Sequence, residues 1–422
     1  MTFRQRIMAL ANHSVVVNTY HLTIMRVITF AAPLLALWHL LDVLTLTEYG
    51  VVAFGMSLIQ LAALLTDAGL TLAAIQKASV FRDKRRVLGR LVGGVTGVKL
   101  MTATAYSLAI LAYALFTSKH ADYRPLLFLL PLSVVLIALQ PSWLFLGIER
   151  ARVFSRITII GKLVYLVALF GLVQGPADYM LVIVADAAGN LVIVALSYLY
   201  MGKLGIPLLL PTKRHVSYAF RIGLGFFAAR LASASYQNTT VIVLGFFTPP
   251  AVVAVYSVAE QFYKALSQMF APLALALYPY LTRKKNMTLL LRVMGGVLII
   301  LVLVGAVEPF LAPSVLKLLN ASNPKEIQSV LIILMIALVF QVTSMLAGYP
   351  LFTLLGRIDL ANKTIMFGAV IYLMLVSGLI IVGRIAPHTI AWTLVATEFS
   401  VLAARLAQWV RLHRQSRGQH AP

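Results

Sequence analysis

From Asn18 almost to the C-terminus, long apolar runs alternate with short polar connections. The runs repeatedly reach the ~20 residues that a helix needs to cross the hydrocarbon core of a bilayer. The pattern predicts twelve membrane-spanning helices, over roughly 18–41, 49–73, 88–115, 125–147, 154–174, 178–201, 217–244, 252–279, 288–307, 327–352, 361–382 and 388–411. Between the sixth and seventh lies MGKLGIPLLLPTKRHVSY, interrupted by Pro207 and Pro211 and marked as cytoplasmic by Lys213 and Arg214. It divides the chain into an N-terminal six-helix lobe (1–201), an inter-lobe linker (202–216) and a C-terminal six-helix lobe (217–422) ending in a short basic tail. A weak internal repeat, Val52–Gln60 against Val253–Gln261, agrees with that division. The expected fold class is therefore an all-α polytopic membrane protein, its two lobes packed around a central cavity as in many transporters.

Composition supports this class. Hydrophobic residues make up 61% of the chain and charged residues 11%, against roughly 45–50% and about 25% in soluble domains. The net charge of +22 is explained by the positive-inside rule before nucleic acid need be invoked. With both termini cytoplasmic, 24 of the 35 Lys and Arg residues fall in inner connections and five in outer ones. No cleavable signal peptide is expected, because the first apolar segment contains Arg26 and is long enough to span. The absence of cysteine excludes disulfides, thiol catalysis and cysteine-ligated metals. No cofactor is expected, and no G-x-x-x-x-G-K-[ST] loop occurs that would hold nucleotide.

Candidate chemistry lies in the charges inside the spans. Six cations (Arg26, Lys99, Lys162, Arg230, Lys264 and Arg405) and four acids (Asp67, Asp186, Glu260 and Glu398) fall there. At the bilayer centre such a group costs ~2.5–3.5 kcal/mol even on lenient scales, so each needs a partner, water or a role. Arg26, Lys99 and Arg230 read as cavity-facing, and Lys162 is closer to the inner surface. Arg405 reads as snorkelling to the cytoplasmic interface. After Arg230 comes a polar patch that includes Tyr236 and Asn238, which suits a water-filled cavity. Glu260 and Lys264, one helical turn apart beside Gln261, share a face and are open both to mutual neutralisation and to a transport role. Asp186 and Glu398 are open as counter-ions or proton sites, and Asp67 as a counter-ion for Arg26 or Lys99 or as a proton carrier. The intramembrane excess of +2 favours a phosphate-bearing substrate over an organic cation, because guanidinium and ammonium groups replace the water that a diphosphate loses. Gly89, Gly93 and Gly97 form a four-residue ladder in the third span, read as a close helix-packing face.

Three stretches together resemble the Wzx-type O-antigen/polysaccharide flippases of the multidrug/oligosaccharidyl-lipid/polysaccharide exporter superfamily. They are Tyr49-Gly50, Ala53-Phe54, Gln60 and Thr66-Asp67-Ala68-Gly69; Tyr256–Gln261 continuing to Pro272 and Ala276–Pro279; and QVTSMLAGYPLFTLLGRID from Gln341 to Asp359. The resemblance implies alternating access and movement of an undecaprenyl-diphosphate-linked oligosaccharide from the inner to the outer leaflet of a bacterial plasma membrane. It further implies coupling to H+ or Na+, and company with a polysaccharide polymerase and chain-length regulator. Arg26, Lys99, Lys162 and Arg230 would be the cavity cations, Asp67 the span-two acid and Glu260 the acid of the Y-S-x-A-E motif. Gln261 departs from the Lys or Arg of many relatives, and Lys264 would supply that cation.

Two rival functions are weighed. A cation-coupled multidrug antiporter on the same fold is disfavoured by the cationic interior. A membrane glycosyltransferase or polymerase is disfavoured by the lack of a D-x-D motif and of a catalytic outer loop. The longest outer connection is expected at Glu308–Glu326.

Overall fold

A computed structural model describes residues 31–67, 69–118, 120–223 and 239–418. Among them there is no strand, and nine helical stretches are long and apolar enough to cross a membrane. The chain divides into two compact units, residues 1–44 with 55–231, and residues 45–54 with 232–422.

The first unit holds α1 (Ala31–Val43), most of α2 (Leu46–Asp67), α3 (Leu70–Val80), α4 (Arg85–Phe116), α5 (Arg124–Leu139), α6 (Ser142–Gly147), α7 (Ala151–Leu172) and α8 (Leu181–Lys203). A further helix, α9, is described over 213–223. The second unit holds α10 (Thr240–Phe247), α11 (Pro250–Lys284), α12 (Met287–Leu318), α13 (Pro324–Leu346), α14 (Tyr349–Leu354), α15 (Ile358–Val382) and α16 (Pro387–Gly418).

Three predicted spans are interrupted. The second breaks after Asp67, where Gly69 takes φ 74°, a left-handed conformation that glycine adopts without steric cost. The fourth breaks at Gln140-Pro141 and the tenth at Ala347-Gly348. After the short helices α6 and α14 the chain turns in the same way twice. Arg150 N–H donates to Phe145 O at 2.7 Å and Arg357 N–H to Phe352 O at 2.9 Å. Glu149 and Gly356, each one residue before that arginine, both have positive φ, 61° and 66°. Phe145 and Phe352 are both fully buried. This shared break and turn is a stronger sign of internal duplication than the short sequence repeat.

Three expectations are corrected. First, of the Gly89, Gly93 and Gly97 ladder only Gly97 meets another helix, where a Cβ would lie 2.7 Å from Val216 Cγ2 of α9. A Cβ at Gly89 would lie 2.4 Å from Pro207 O, one at Gly93 2.5 Å from Leu209 O, and one at Gly97 2.8 Å from Pro211 Cβ. The glycines receive the extended linker. Four helical residues rise about 6 Å and two extended residues about 6.6 Å, so the two repeats stay in step.

Second, α12 runs on to Leu318, so Glu308 lies inside a helix and not in an outer loop. Pro309 and Pro313 lie inside the helix, and prolines are tolerated in membrane helices when freed carbonyls find other donors. Gln328 Nε2 donates to Pro309 O at 3.0 Å.

Third, Arg405 does not snorkel. It is only 5% exposed and donates to Ser344 O, to Ser344 Oγ at 2.9 Å and to Thr364 Oγ1 at 3.0 Å. Because α13 ends inside the bundle, its last carbonyls need a donor, and a cation there also complements the helix dipole.

The predicted eighth span is α11. Its 35 residues suffice in length, but it is not among the nine apolar stretches. Ser257, Glu260, Gln261, Lys264, Ser267 and Gln268 make it too polar.

Candidate functional site

Arg26, Arg230, Tyr236 and Asn238 lie outside the described residues. The other candidates are distributed between the two units.

In the first unit, Asp67 occupies the last position of α2, where the helix breaks. Lys99, 7% exposed on α4, brings its Nζ to 3.7 Å from Asp67 Oδ1. Thr71 Oγ1 on α3 also donates to Asp67. The acid at the end of the broken helix is thus tied both to the next helical segment and to the middle of the third span. Nearby, Tyr106 Oη donates to Leu58 O at 2.9 Å and joins the same two helices.

A second polar centre in this unit lies between α5, α7 and α8. Gln140, at the break after α5, donates through Nε2 to Asn190 Oδ1 at 2.9 Å. Asn190 in turn donates to Asp186 Oδ2 at 2.8 Å. Lys162 lies near enough to act on Asp186 by its charge, and its Nζ sits 5.4 Å from the centre of the Tyr165 ring. Close approach of α7 and α8 permits this. A Cβ at Gly161 would lie 2.8 Å from Gly189 O, so both helices need a residue without a side chain there.

In the second unit, Glu260 accepts a hydrogen bond from Lys264 Nζ at 2.8 Å, one turn along α11. Tyr49, Tyr256 and Tyr372, all buried, lie close enough to Glu260 to feel its charge. Two residues flagged in the sequence, Tyr49 and Tyr256, therefore converge on the acid of the same motif. Tyr372 carried no signal, because it lies in an ordinary apolar run. The neighbouring motif residues explain how this part packs. A Cβ at Gly50 would meet Pro250 O at 1.8 Å, so only glycine lets the start of α2 lie against the start of α11. The Phe54 ring fills the space that a side chain at Gly245 would need, and it meets Phe246 edge-on at 5.3 Å.

Gln261 is half-buried beside Glu260. One turn further along α11 than Lys264, Ser267 Oγ donates to Gln341 Oε1 of α13 at 2.5 Å. Glu398 is 2% exposed and lies in the field of Arg405 two turns further along α16. Among the described residues no cluster of three or more metal-ligating side chains occurs.

What the arrangement offers chemically is intramembrane carboxylates held by a cation or an amide, Asp67 by Lys99, Glu260 by Lys264 and Asp186 by Asn190, the first at the end of a broken helix and the second on an unusually polar one. In such surroundings charges are retained by pairing, and discontinuous helices are a recurring feature of transporter binding sites.

Comparison with known proteins gives the same direction. A family model described as "Polysaccharide biosynthesis protein" matches residues 15–285, well over half of the chain. A protein of Escherichia coli (strain K12) named "Putative O-antigen transporter" is 22% identical over 307 residues, covering 68% of this chain and 73% of that protein. Among solved structures, the lipid II flippase MurJ in an inward closed conformation superposes with a TM-score of 0.71 at 12% identity, over 92% of this chain and 87% of that one. An inward-facing multidrug resistance transporter of the MATE family follows with a TM-score of 0.65 at 15% identity, over 93% and 99%. At these identities the structural likeness is one of fold. The chain belongs to the polysaccharide biosynthesis protein family, and it is a multi-pass helical membrane protein whose family and fold are those of transporters rather than enzymes.

Proposed function

We propose that the protein is a flippase that carries an undecaprenyl-diphosphate-linked oligosaccharide, an O-antigen or similar repeat unit, from the inner to the outer leaflet of a bacterial plasma membrane. The observation that carries this reading is the family match together with a fold resembling that of a lipid II flippase. The excess of cations over acids within the spans supports a phosphate-bearing head group, since such groups exchange hydration for charge-assisted hydrogen bonds. In this reading the two six-helix lobes, 1–201 and 217–422 joined by the linker 202–216, alternate access to a central cavity, with both termini cytoplasmic. The duplicated break and turn at 140–150 and 347–357 supports that plan.

Arg26, Lys99, Lys162, Arg230 and Lys264 serve as candidate phosphate ligands, and Tyr236, Asn238 and Gln261 as candidate sugar ligands. Lys99 and Lys264 are held by Asp67 and Glu260 until the diphosphate competes for them, and the released carboxylates then take up H+ or Na+. The polymerase and chain-length regulator of the same pathway would act on the product at the outer face.

The test is export of lipid-linked glycan in a bacterium deleted for its own flippase. The wild-type chain restores surface glycan, and Lys99→Ala or Arg230→Ala abolishes it without abolishing membrane insertion. Full export by both variants refutes the cation assignment. The second reading, a cation-coupled multidrug antiporter, is favoured by the likeness to the MATE transporter and opposed by the cationic interior. Drug efflux by the purified protein without transport of lipid-linked oligosaccharide would reverse the ranking.

A further inference from the structure

Glu308 is the acid that the sequence analysis expected in an outer loop. It lies on α12, ten residues before the end of the helix, and is 9% exposed. Neither of its carboxylate oxygens has a hydrogen-bond partner. It faces a cavity of about 440 Å³ lined by Phe262 and Leu266 of α11, by Leu331 and Met335 of α13, and by leucines, valines and an alanine of α12 itself.

Among the described residues no other titratable side chain lines that cavity. On α11 the nearest charges in sequence, Glu260 and Lys264, are closed on each other at 2.8 Å. On α13 Lys325 and Glu326 stand in the first turn, and on α12 Lys317 stands in the last. Glu308 therefore differs from the acids described above. Asp67 has Lys99, Glu260 has Lys264, Asp186 has Asn190, and Glu398 lies in the field of Arg405. An ionised carboxylate without a partner in apolar surroundings is strongly disfavoured, and the carboxylic acid removes that cost with no change of fold.

The geometry points to Glu308 as a proton-binding site of the second unit, a neutral carboxylic acid facing an apolar cavity. If the flippase reading holds, on which this second part rests, Glu308 exchanges a proton during transport in addition to the ions taken up at Asp67 and Glu260. Asp67 and Glu260 each have a cation beside them, whereas among the described residues none meets the Glu308 carboxylate. The cavity borders α11, so loss of the proton would place an unpaired charge against the helix that carries Glu260 and Lys264.

A hydrophobic carbodiimide tests the site directly. Leu303, Val307 and Leu311, which line the cavity, are each about half exposed on the outer face of α12, so N,N′-dicyclohexylcarbodiimide can enter from the lipid. The acid transfers its proton to one carbodiimide nitrogen while its carboxylate oxygen adds to the central carbon. The acyl group then migrates from oxygen to nitrogen, giving a stable N-acylurea with no leaving group. Applied to the full-length protein in liposomes, the reagent is expected to label Glu308, as read by peptide mass spectrometry. Labelling declines as the pH rises and is absent in Glu308→Gln. A water-soluble carbodiimide does not label the site.

Absence of the adduct on Glu308 at neutral pH, or equal labelling by the water-soluble reagent, overturns the proton site. In the transport arm, Glu308→Gln is expected to weaken the dependence of glycan flipping on a pH gradient. Retention of the wild-type dependence overturns the transport role. If the wild-type protein moves no lipid-linked oligosaccharide, the flippase reading fails by itself, and the labelling result still decides the site.

Discussion

Neutralising the Asp67–Lys99 pair one partner at a time should damage the protein more than neutralising both. The two groups are 3.7 Å apart with side-chain exposures of 13% and 8%. At an effective dielectric constant of about 20, their mutual attraction is about 4 kcal/mol. Removing one partner leaves the other charge buried, which costs about 3–5 kcal/mol, whereas replacing both by neutral groups of similar size is close to neutral. The perturbations are Asp67→Asn, Lys99→Met and the double variant. The assay is an unfolding titration of the purified, detergent-solubilised protein followed by circular dichroism. Each single variant should lose several kcal/mol, and the double variant should recover most of the loss, giving a coupling on the order of 5–9 kcal/mol, the two single losses less that of the double. A double variant as unstable as the sum of the singles, or singles within about 0.5 kcal/mol of wild type, would refute the buried-pair account. Glycan export adds a separate reading. If Lys99 engages the substrate phosphates, the double variant folds but does not export.

Two further outcomes follow from the packing. Gly93→Val should push the linker off α4, because its Cβ would lie 2.5 Å from Leu209 O. Overpacking of this kind costs about 1–3 kcal/mol, and trypsin cleavage after Lys213 or Arg214 should accelerate; an unchanged cleavage rate would sink the linker-seat argument. Arg405→Ala should cost about 3–5 kcal/mol by leaving buried polar partners uncompensated, and Arg405→Lys should recover only part of it because an ammonium lacks the guanidinium fork. If instead both variants unfold at the wild-type midpoint, Arg405 does not clamp α13 and α15.

The ten intramembrane charges were legible because an apolar run makes every exception visible, and the pairing of Glu260 with Lys264 followed from helical spacing alone. Their remaining partners were not legible. Lys99 and Asp67 are 32 residues apart, and nothing local says that a break after Asp67 brings the acid to α4. Glycine at position 69 was visible, but its left-handed φ of 74° was not. Arg405 was misread because distance to the helix end is the only guide a sequence offers, and the carbonyl it binds belongs to a helix that ends 59 residues earlier. Glu308 was misread for a related reason. Glu followed by two prolines looks like a loop until the donor from Gln328 appears.

The sequence by itself determined the membrane class, the helical content, the resemblance to flippases and the stock of buried charges, since each depends on composition and short-range order. Tertiary structure decided how those charges are used. It gave Asp67 to Lys99, linked Asp186 to Gln140 through Asn190, gathered three tyrosines around Glu260, and left Glu308 facing an apolar cavity. Burying a charge is costly enough that its partner defines its role, and partners are set by which helices meet, which no single stretch of the chain specifies.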